Sequence, residues 1–562
     1  MEGSSVTEGS SVTERPASST TWDDLVTTAL LGTDRRPASP GALLDEAALR
    51  TVQRRAALLP ATPGPLPEAA PEDVRPPLPE AARRRLALLL AERAAGPGGS
   101  GRRGGGPDLT ELLPQWLAAA NDHGYRAPEA LLPGLLDAAR ARSDLRPGAL
   151  ALGGPRALWL ARLNPQWRYA LRDAPASSAA PATTGTAETG TAETGTAETA
   201  GSAAHRVQVW QEGLFAERVA LLTSLRRRDP AAARELLATT WPQERAEDRL
   251  MFLDTLRDGL SPADEAFLEQ ALTDRGRTVR AMAAELLSAL PGSALAGRMA
   301  ERARACVALD RTGGQPTVIV EAPHECDAAM RRDGVVAKPP AGRGERSWWL
   351  GQLVEAAPLG NWCERLGVAG AAEAVALPVG DGWRADLHAA WCRAAVRQGD
   401  AEWSRALLGP AATPPTPTGA SWLDPAKLLS ALPPGERAEW VAEFIAAHGL
   451  SEAFRLLGVC AVPWAEPLGR AVVDALDTAR EAGGYPWSFS GVMGMAERCL
   501  DPAQADLLEA LTVLPSGPED AAPQGAACYW AEAYQRLIGT LRLRAAMLEE
   551  LAPVLRRPAA GR

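Results

Sequence analysis

The stretch from Asp274 to Ser293 constrains the fold more than any other part of the chain, because its apolar residues recur at the spacing of one helix face. A second short helix precedes it, beginning at Ser261 and Pro262, with Asp264 placed to complete a capping box. Two short antiparallel helices cannot bury both apolar faces by themselves, so such pairs stack on neighbouring pairs. The pattern therefore predicts an all-α helical-repeat protein, an α-solenoid. The apolar positions of the first stretch are Val279, Met282, Ala283, Leu286, Leu287 and Leu290.

The net charge argues against some classes of binding partner. The chain has 562 residues and a formal net charge of −10. A protein that binds nucleic acid or anionic membranes over its general surface normally carries an excess of basic residues, so both classes are disfavoured. The N-terminus lacks the basic and apolar regions of a signal peptide, and no run reaches the ~18 apolar residues needed to span a bilayer. We expect a soluble, cytoplasmic protein without membrane contact.

The cysteines support the same compartment. There are seven, scattered along the sequence, and no two of them form a Cys-x-x-Cys pair. Disulfide frameworks and structural zinc sites both require closely patterned thiols. The sequence therefore predicts reduced cysteines, as is usual in the cytoplasm.

Low-complexity tracts divide the chain. Residues 3–14 repeat GSSVTE twice and residues 185–199 repeat GTAET three times. Such small polar residues bury too little apolar surface to order the backbone. We predict two lobes with the following segments: a disordered tail over 1–20, an N-terminal helical lobe over 21–173 with a proline-rich loop at 60–79 and a glycine-rich loop at 96–107, a linker over 174–204, helical repeats over 205–310, a strand-containing excursion over 311–345 and a tryptophan-rich helical region over 346–556.

Helix-start signals recur along both lobes. Thr21 is predicted to cap the first helix, and the pair Asp229 and Pro230 has the same turn-and-proline form as Ser261 and Pro262. Further helices are predicted near 80–95, 108–120, 128–142 and 155–163 in the first lobe, and near 214–228, 230–240, 245–258, 262–272 and 277–290 after the linker.

A small β element is predicted near 315–340. Residues 317–320 read Thr-Val-Ile-Val, which is short, β-branched and typical of a strand. Residues 333–336, Asp-Gly-Val-Val, are the predicted partner strand. Helical patterns resume at Glu345, many of them containing tryptophan.

The sequence contains no convincing motif for nucleotide binding or for hydrolysis. A P-loop needs a lysine directly after its second glycine, and neither Lys338 nor Lys427 has that context. Residues 96–101 match Gly-x-Gly-x-x-Gly but follow a helix instead of a strand, so we interpret them as a loop. No nucleophile elbow or His-Glu-x-x-His motif occurs. We therefore assign no catalytic residue, no cofactor-binding residue and no cofactor.

Two groups of residues have side chains of the types that bind metals. His324, Cys326 and Asp327 lie within four residues, but no second half with zinc spacing follows, which favours an ordinary loop. His388 and Cys392 are one helical turn apart and flank an apolar stripe, which favours helix packing. We assign no metal site.

Tryptophan is unusually frequent, with 17 residues against six phenylalanines. Most of them are expected to pack one helical unit against the next. Trp348 and Trp349 are adjacent, and neighbours on a helix differ by about 100° in direction, so one of them should face another layer, a partner or solvent. With Arg168, which follows the Asn164–Pro165 turn, they form our candidate partner surface.

Four segments, at 22–35, 159–167, 344–353 and 540–551, together resemble a family of bacterial proteins classed as a domain of unknown function. The resemblance covers nearly the whole chain outside the low-complexity tracts. Members of that family are typically encoded beside a SWIM zinc-finger protein, a MoxR-type AAA ATPase and a von Willebrand A-type protein. The resemblance implies these proteins as partners and implies no reaction.

A local resemblance concerns the repeat. Asp274, Val279, Arg280 and Ala283 match the spacing in the second helix of HEAT repeats. In those repeats an aspartate and an arginine form a ladder between adjacent units. The resemblance implies that the fold is HEAT-like and that Asp274 and Arg280 form such a structural ladder.

Three functions follow as hypotheses from these observations. The first is a non-catalytic scaffold or adaptor in a cytoplasmic multiprotein assembly, whose expected partners are the ATPase, the von Willebrand A-type protein or the SWIM protein. The second is a HEAT-like DNA-processing enzyme similar to DNA glycosylases, which fits the tryptophans but not the net charge. The third is a regulatory module that binds a small ligand between the lobes. We expect the scaffold, with nucleic acid as an unlikely partner.

Overall fold

The computed structural model describes residues 22–32, 39–56, 67–94, 109–173, 206–413, 424–512 and 524–552. Within these ranges the chain is mostly helical and carries one sheet of two short strands. The expected predominance of helix is therefore confirmed. The predicted tail, the glycine-rich loop and the low-complexity linker lie outside the described residues. No helix in the described ranges is both long and apolar enough to cross a bilayer.

The chain divides into two compact units, residues 1–70 and 71–562. The described helices of the first unit are α1 (Trp22–Leu31) and α2 (Pro40–Ala56). Leu25 and Thr28 are the buried residues of α1, and the Thr28 hydroxyl donates a hydrogen bond to the backbone carbonyl of Asp24 at 2.6 Å. The predicted cap, Thr21, lies just outside the described residues.

Five helices open the second unit. Four of them lie close to predicted positions, and the fifth, at 168–173, is not predicted from the sequence. The last long one is kinked at Gly154, which has a φ of 54° and is followed by Pro155; the sequence pattern predicts only the part after this kink. A β-carbon on Gly154 would overlap the guanidinium of Arg75, which donates hydrogen bonds to the carbonyls of Tyr125 and Ala151. The helices are α3 (Glu80–Ala94), α4 (Leu109–Asp122), α5 (Leu132–Ala141), α6 (Arg146–Leu163) and α7 (Arg168–Asp173).

Seven helices follow between residues 206 and 306. Asp264 completes the predicted capping box, because its carboxylate accepts a hydrogen bond from the Ser261 backbone N–H at 3.0 Å. The Asp229 side chain caps the following helix, which begins at Pro230 as predicted. The helices are α8 (206–212), α9 (Phe215–Arg228), α10 (Pro230–Thr240), α11 (Ala246–Thr255), α12 (Glu265–Ala271), α13 (Arg277–Ser288) and α14 (Ala294–Cys306).

These helices share a period of 31 residues. The positions of Arg218, Arg249 and Arg280 differ by that number, and the three arginines lie in α9, α11 and α13. Other sets at the same spacing are buried in every copy. They are Leu225, Leu256 and Leu287, and Leu237, Leu268 and Met299. The spacing defines three consecutive segments of 31 residues, 210–240, 241–271 and 272–302, which are called repeat units below.

The sheet consists of β1 (Val307–Asp310) and β2 (Thr317–Val320), which pair antiparallel with Val307 opposite Val320. The strand at 317–320 is confirmed, but the partner predicted at 333–336 is wrong. β1 is joined to β2 by a short turn containing Gly313 and Gly314, so pairing within the hairpin requires the least loop closure. The backbone N–H of Val336 instead donates to the Gln352 side chain.

The remaining helices complete two hydrophobic cores. One core runs from Trp210 to Leu428, so the predicted boundaries at 310 and 345 fall inside it. A second runs from Ala411 to Leu541. The helices are α15 (Ala328–Arg332), α16 (Glu345–Ala356), α17 (Gly360–Leu366), α18 (Ala371–Ala376), α19 (Arg384–Gln398), α20 (Ala401–Leu408), α21 (Pro425–Ser430), α22 (Pro434–His448), α23 (Leu450–Leu457), α24 (Glu466–Glu481), α25 (Ser490–Cys499), α26 (Ala505–Leu511) and α27 (Gln524–Leu551).

The end of α27 packs on the N-terminal helices of the second unit. Leu551 and Met547 belong to the same core as the residues of α3 to α7. Glu550 forms a two-bond ion pair with Arg85 of α3, with distances of 2.7 and 3.0 Å. The Tyr125 hydroxyl donates to the carbonyl of Leu551 at 3.0 Å. Contacts over more than 400 residues therefore join the two ends of this unit.

Candidate functional site

A cleft of about 640 Å³ lies beside the third copy of the 31-residue unit. Its walls come from α12, α13, α14 and the short helix α15, which follows the sheet. Arginine dominates the lining, with five residues against three carboxylates. The arginines are Arg280, Arg298, Arg302, Arg331 and Arg332, and the acids are Glu269, Asp274 and Asp333.

Asp274 and Arg280, the predicted ladder residues, both line this cleft. The Asp274 carboxylate accepts the backbone N–H of Gly276 at 2.6 Å and forms an ion pair with Arg249 of the preceding unit. Arg280 donates to the backbone carbonyls of Asp274 and Arg275, at 2.7 and 3.1 Å. The carboxylate is therefore paired across units, while the guanidinium of Arg280 stays within its own unit.

Asp333 fixes α15 against α14. Its carboxylate accepts from Arg298 at 2.9 Å and from Arg302 at 2.7 Å, and Arg298 also reaches Glu269 at 3.1 Å. Burial lowers the pKa of Arg298, but hydrogen bonds to Asp333 and Glu269 outweigh this effect and raise it above its ordinary value. This wall of the cleft is therefore held by charge-assisted hydrogen bonds.

The rim at the end of α15 carries positive charge that the neighbouring residues do not balance. Arg331 and Arg332 are both exposed, and Arg331 donates to the backbone carbonyl of Asp327 at 3.2 Å. Neither arginine forms an ion pair with a carboxylate among the described residues. Guanidinium groups bind carboxylates and phosphates through paired hydrogen bonds. The rim can therefore hold an anionic group.

Trp348 and Trp349 brace the segment that follows α15. The Trp348 indole N–H donates to the carbonyl of Val336 at 2.7 Å, and the Trp349 N–H donates to that of Ala337 at 2.8 Å. Trp349 is only 7% exposed, whereas Trp348 is half-buried beneath the guanidinium of Arg343. Both indoles thus support the wall that carries Asp333, and their role in binding a partner stays a prediction.

Arg168, the third residue of the predicted partner surface, is exposed at the start of α7. The preceding turn is capped by Asn164, whose side chain accepts from the Gln166 backbone N–H at 3.0 Å. Trp167 is buried and donates its indole N–H to Asp137 at 3.0 Å. Arg168 therefore lies on the N-terminal helices, while the two tryptophans pack against the core that contains the repeat units.

The residues weighed as metal ligands have structural contacts. Asp327 caps α15 through the backbone N–H of Met330 at 2.7 Å, and His324 is largely exposed. His388 and Cys392 are both buried on α19, and burial lowers the pKa of His388 to about 4. Within the described ranges, no group of three or more potential metal ligands lies together.

Sequence reasoning did not identify the cleft as a site. The sequence pattern predicts a strand at Asp333, and Arg298, Arg302 and Arg332 belong to no motif. One signal for part of the cleft was present, namely the 31-residue spacing of Arg218, Arg249 and Arg280. No such spacing predicts α15, because its position depends on the hairpin before it.

Comparison with known proteins identifies a family but no activity. The model of the family of unknown function DUF5691 matches residues 24–551, and the chain belongs to this family. No curated protein matches the chain.

Proposed function

We propose that this protein is a non-catalytic helical-repeat scaffold whose arginine-lined cleft binds an acidic segment of a partner protein in a cytoplasmic assembly. The observation that carries the proposal is the excess of arginine in the cleft, with Arg331 and Arg332 unbalanced at its rim. Arginine is enriched in protein interfaces because its planar fork pairs with carboxylates.

The repeat units support a HEAT-like solenoid as the frame of this scaffold. Arg218 pairs with Glu244 and Arg249 pairs with Asp274, so the same ionic contact recurs 31 and 30 residues apart. Each pair joins one helical unit to the start of the next. A repeated contact of this kind aligns successive units, and aligned units present an extended binding face.

The family resemblance suggests the partners. We propose the MoxR-type ATPase, the von Willebrand A-type protein or the SWIM zinc-finger protein. The direct experiment mixes the purified full-length chain with each of them, with and without ATP, and measures mass by light scattering. A stoichiometric complex with one of them supports the proposal. If no mixture forms a complex, the assignment of these partners fails.

The cleft itself is tested with a labelled poly-glutamate peptide and fluorescence anisotropy. We expect binding that weakens as salt is added, because the contacts are charge pairs. The variant Arg331→Glu/Arg332→Glu should weaken binding about tenfold or more, since like charges facing each other cost several kcal/mol. The matched control is Arg455→Glu/Arg470→Glu, which makes the same charge change at exposed positions outside the cleft.

Duplex DNA is the comparison ligand, because a basic cleft also suits the DNA-processing alternative. No aromatic residue is present among the described residues that line the cleft, although proteins that bind unstacked bases use aromatic platforms. We expect the peptide to bind more tightly than a duplex of equal charge. Tighter binding of the duplex, lost in the Arg331→Glu/Arg332→Glu variant, would overturn the proposal.

A further inference from the structure

A second cavity, of about 460 Å³, lies between the N-terminal helices of the second unit and the end of α27. Its walls are mainly apolar. Leu112 and Trp116 come from α4, Pro463 from the loop before α24, and Met547 and Leu551 from α27. This volume is in the range of small-molecule sites, which are typically concave, apolar and equipped with a few polar groups.

The main charged group in the wall is a buried arginine without an acidic partner. Arg544 is 8% exposed and donates from Nη1 to the backbone carbonyls of Leu500 and Glu497, at 2.6 and 3.2 Å. It forms no ion pair with any described carboxylate. Burial lowers the pKa of Arg544, and Cys499 and Asp501 only partly oppose this effect. A buried cation is costly unless an anion compensates it.

Trp116 supplies a second unused donor. Its side chain is 2% exposed, and its indole Nε1 has no hydrogen-bond acceptor in the described part of the chain. Buried donors normally have a partner, and an unpaired one costs about 1–3 kcal/mol. One other charged residue lines the cavity, Asp122, which is exposed at the end of α4.

We propose that this cavity binds a small organic carboxylate with an apolar body. The carboxylate would pair with the Arg544 guanidinium, whose fork matches two carboxylate oxygens. Trp116 contributes its side chain to the same wall. The apolar body would occupy the space between Leu112, Pro463 and Met547. The proposal uses no residue of the arginine-lined cleft and is independent of the scaffold function.

The cavity lies between α4 and α27, so a ligand bound there would contact both helices. Gln115 of α4 donates its side-chain amide to the carbonyl of Arg498 at 2.5 Å, beside the cavity. The same α4 helix contacts α27. A ligand held between these elements binds the folded state, so it should raise the melting temperature of the protein.

The test uses octanoate and 1-octanol with the full-length protein and isothermal titration calorimetry. We expect octanoate to bind more tightly than about 1 mM and at least about tenfold more tightly than the neutral alcohol of equal length. Equal affinities would show that the guanidinium does not recognise the ligand and would overturn the proposal. Failure of octanoate to bind at all would also overturn it.

Two variants locate the binding site. Leu548 lines the cavity and is 50% exposed, so Leu548→Glu adds a repelling charge without disturbing a core. We expect it to weaken octanoate binding about tenfold or more. Leu507→Glu is the matched control, because Leu507 is 45% exposed on α26 and does not line the cavity. Equal octanoate affinity in the two variants would place binding elsewhere and overturn the assignment.

Discussion

Arg226 and Asp264 form a doubly hydrogen-bonded ion pair that is completely buried. The two bonds measure 2.9 and 2.5 Å, and neither side chain has any solvent exposure. Arg226 lies in the last turn of α9 and Asp264 directly precedes α12, so the pair joins these two helices. Burial alone would raise the pKa of Asp264, but hydrogen bonds from Arg226, Arg234 and the Ser261 backbone lower it below its usual value.

Removing the acid of this pair should strongly destabilise the protein. Asp264→Asn leaves the Arg226 cation buried without its counter-charge, and losing one partner of a buried pair costs about 3–5 kcal/mol. The measurement is the free energy of unfolding in urea. The control is Asp258→Asn, whose ion pair with Arg227 is exposed and is expected to contribute less than about 1 kcal/mol. Equal losses in the two variants would contradict the burial of the pair.

Stability should fall between pH 6.5 and 4 because of His388. Burial lowers the pKa of its ring from 6.5 to about 4. In this window the unfolded chain binds a proton that the native state resists, so the free energy of unfolding decreases as the pH falls. The shift corresponds to about 3 kcal/mol. His388→Gln should remove this part of the pH dependence, as measured by urea unfolding at several pH values. Parallel profiles for the two proteins would refute the prediction.

The packing of α13 is tested by a truncation. Leu286 is 1% exposed within the core of the repeat units. Leu286→Ala should therefore cost about 2–5 kcal/mol of unfolding free energy, from lost burial and the cavity left behind. Leu507→Ala, at a position that is 45% exposed, is the control and should cost far less. A loss below 1 kcal/mol at Leu286 would mean that this helix is not packed as described.

Alanine substitutions at two glycines test how closely the segment after α15 approaches α13. Gly334 and Gly342 both have positive φ, 91° and 83°, so alanine strains the backbone at either position. Only at Gly334 would the added β-carbon overlap Ala284 of α13, whereas nothing lies within 4 Å at Gly342. Gly334→Ala should thus be less stable than Gly342→Ala by about 1–3 kcal/mol.

The same substitution should also affect binding. Because Gly334 follows Asp333, overlap with α13 should displace α15 and weaken poly-glutamate binding more than Gly342→Ala does. The measurements are urea unfolding and peptide anisotropy. Equal effects of the two variants on both would contradict the close approach of α15 to α13.

The local parts of the fold were predictable. The strand at 317–320, the helix starting at Pro230 and the capping box of Asp264 all depend on neighbours within a few residues. The partner of that strand was missed because 307–310 follows a helix without a break, although the turn at Gly313 and Gly314 after it is a hairpin signal. The cleft could not be predicted from the sequence either. Asp333 contacts Arg298 only because the β-hairpin between them reverses the direction of the chain.

The sequence by itself determined the starts of helices with clear caps, such as α10 at Pro230, because capping acts within a single turn of a helix. It also contained the 31-residue spacing that repeats Arg218 at Arg249 and Arg280. Only the tertiary structure decided which charges meet. Glu550 forms an ion pair with Arg85, 465 residues away in the sequence. Arg544 lies in the same apolar cavity wall as Trp116. Such pairings depend on the packing of whole helices, and no local pattern encodes the distance between two residues so far apart.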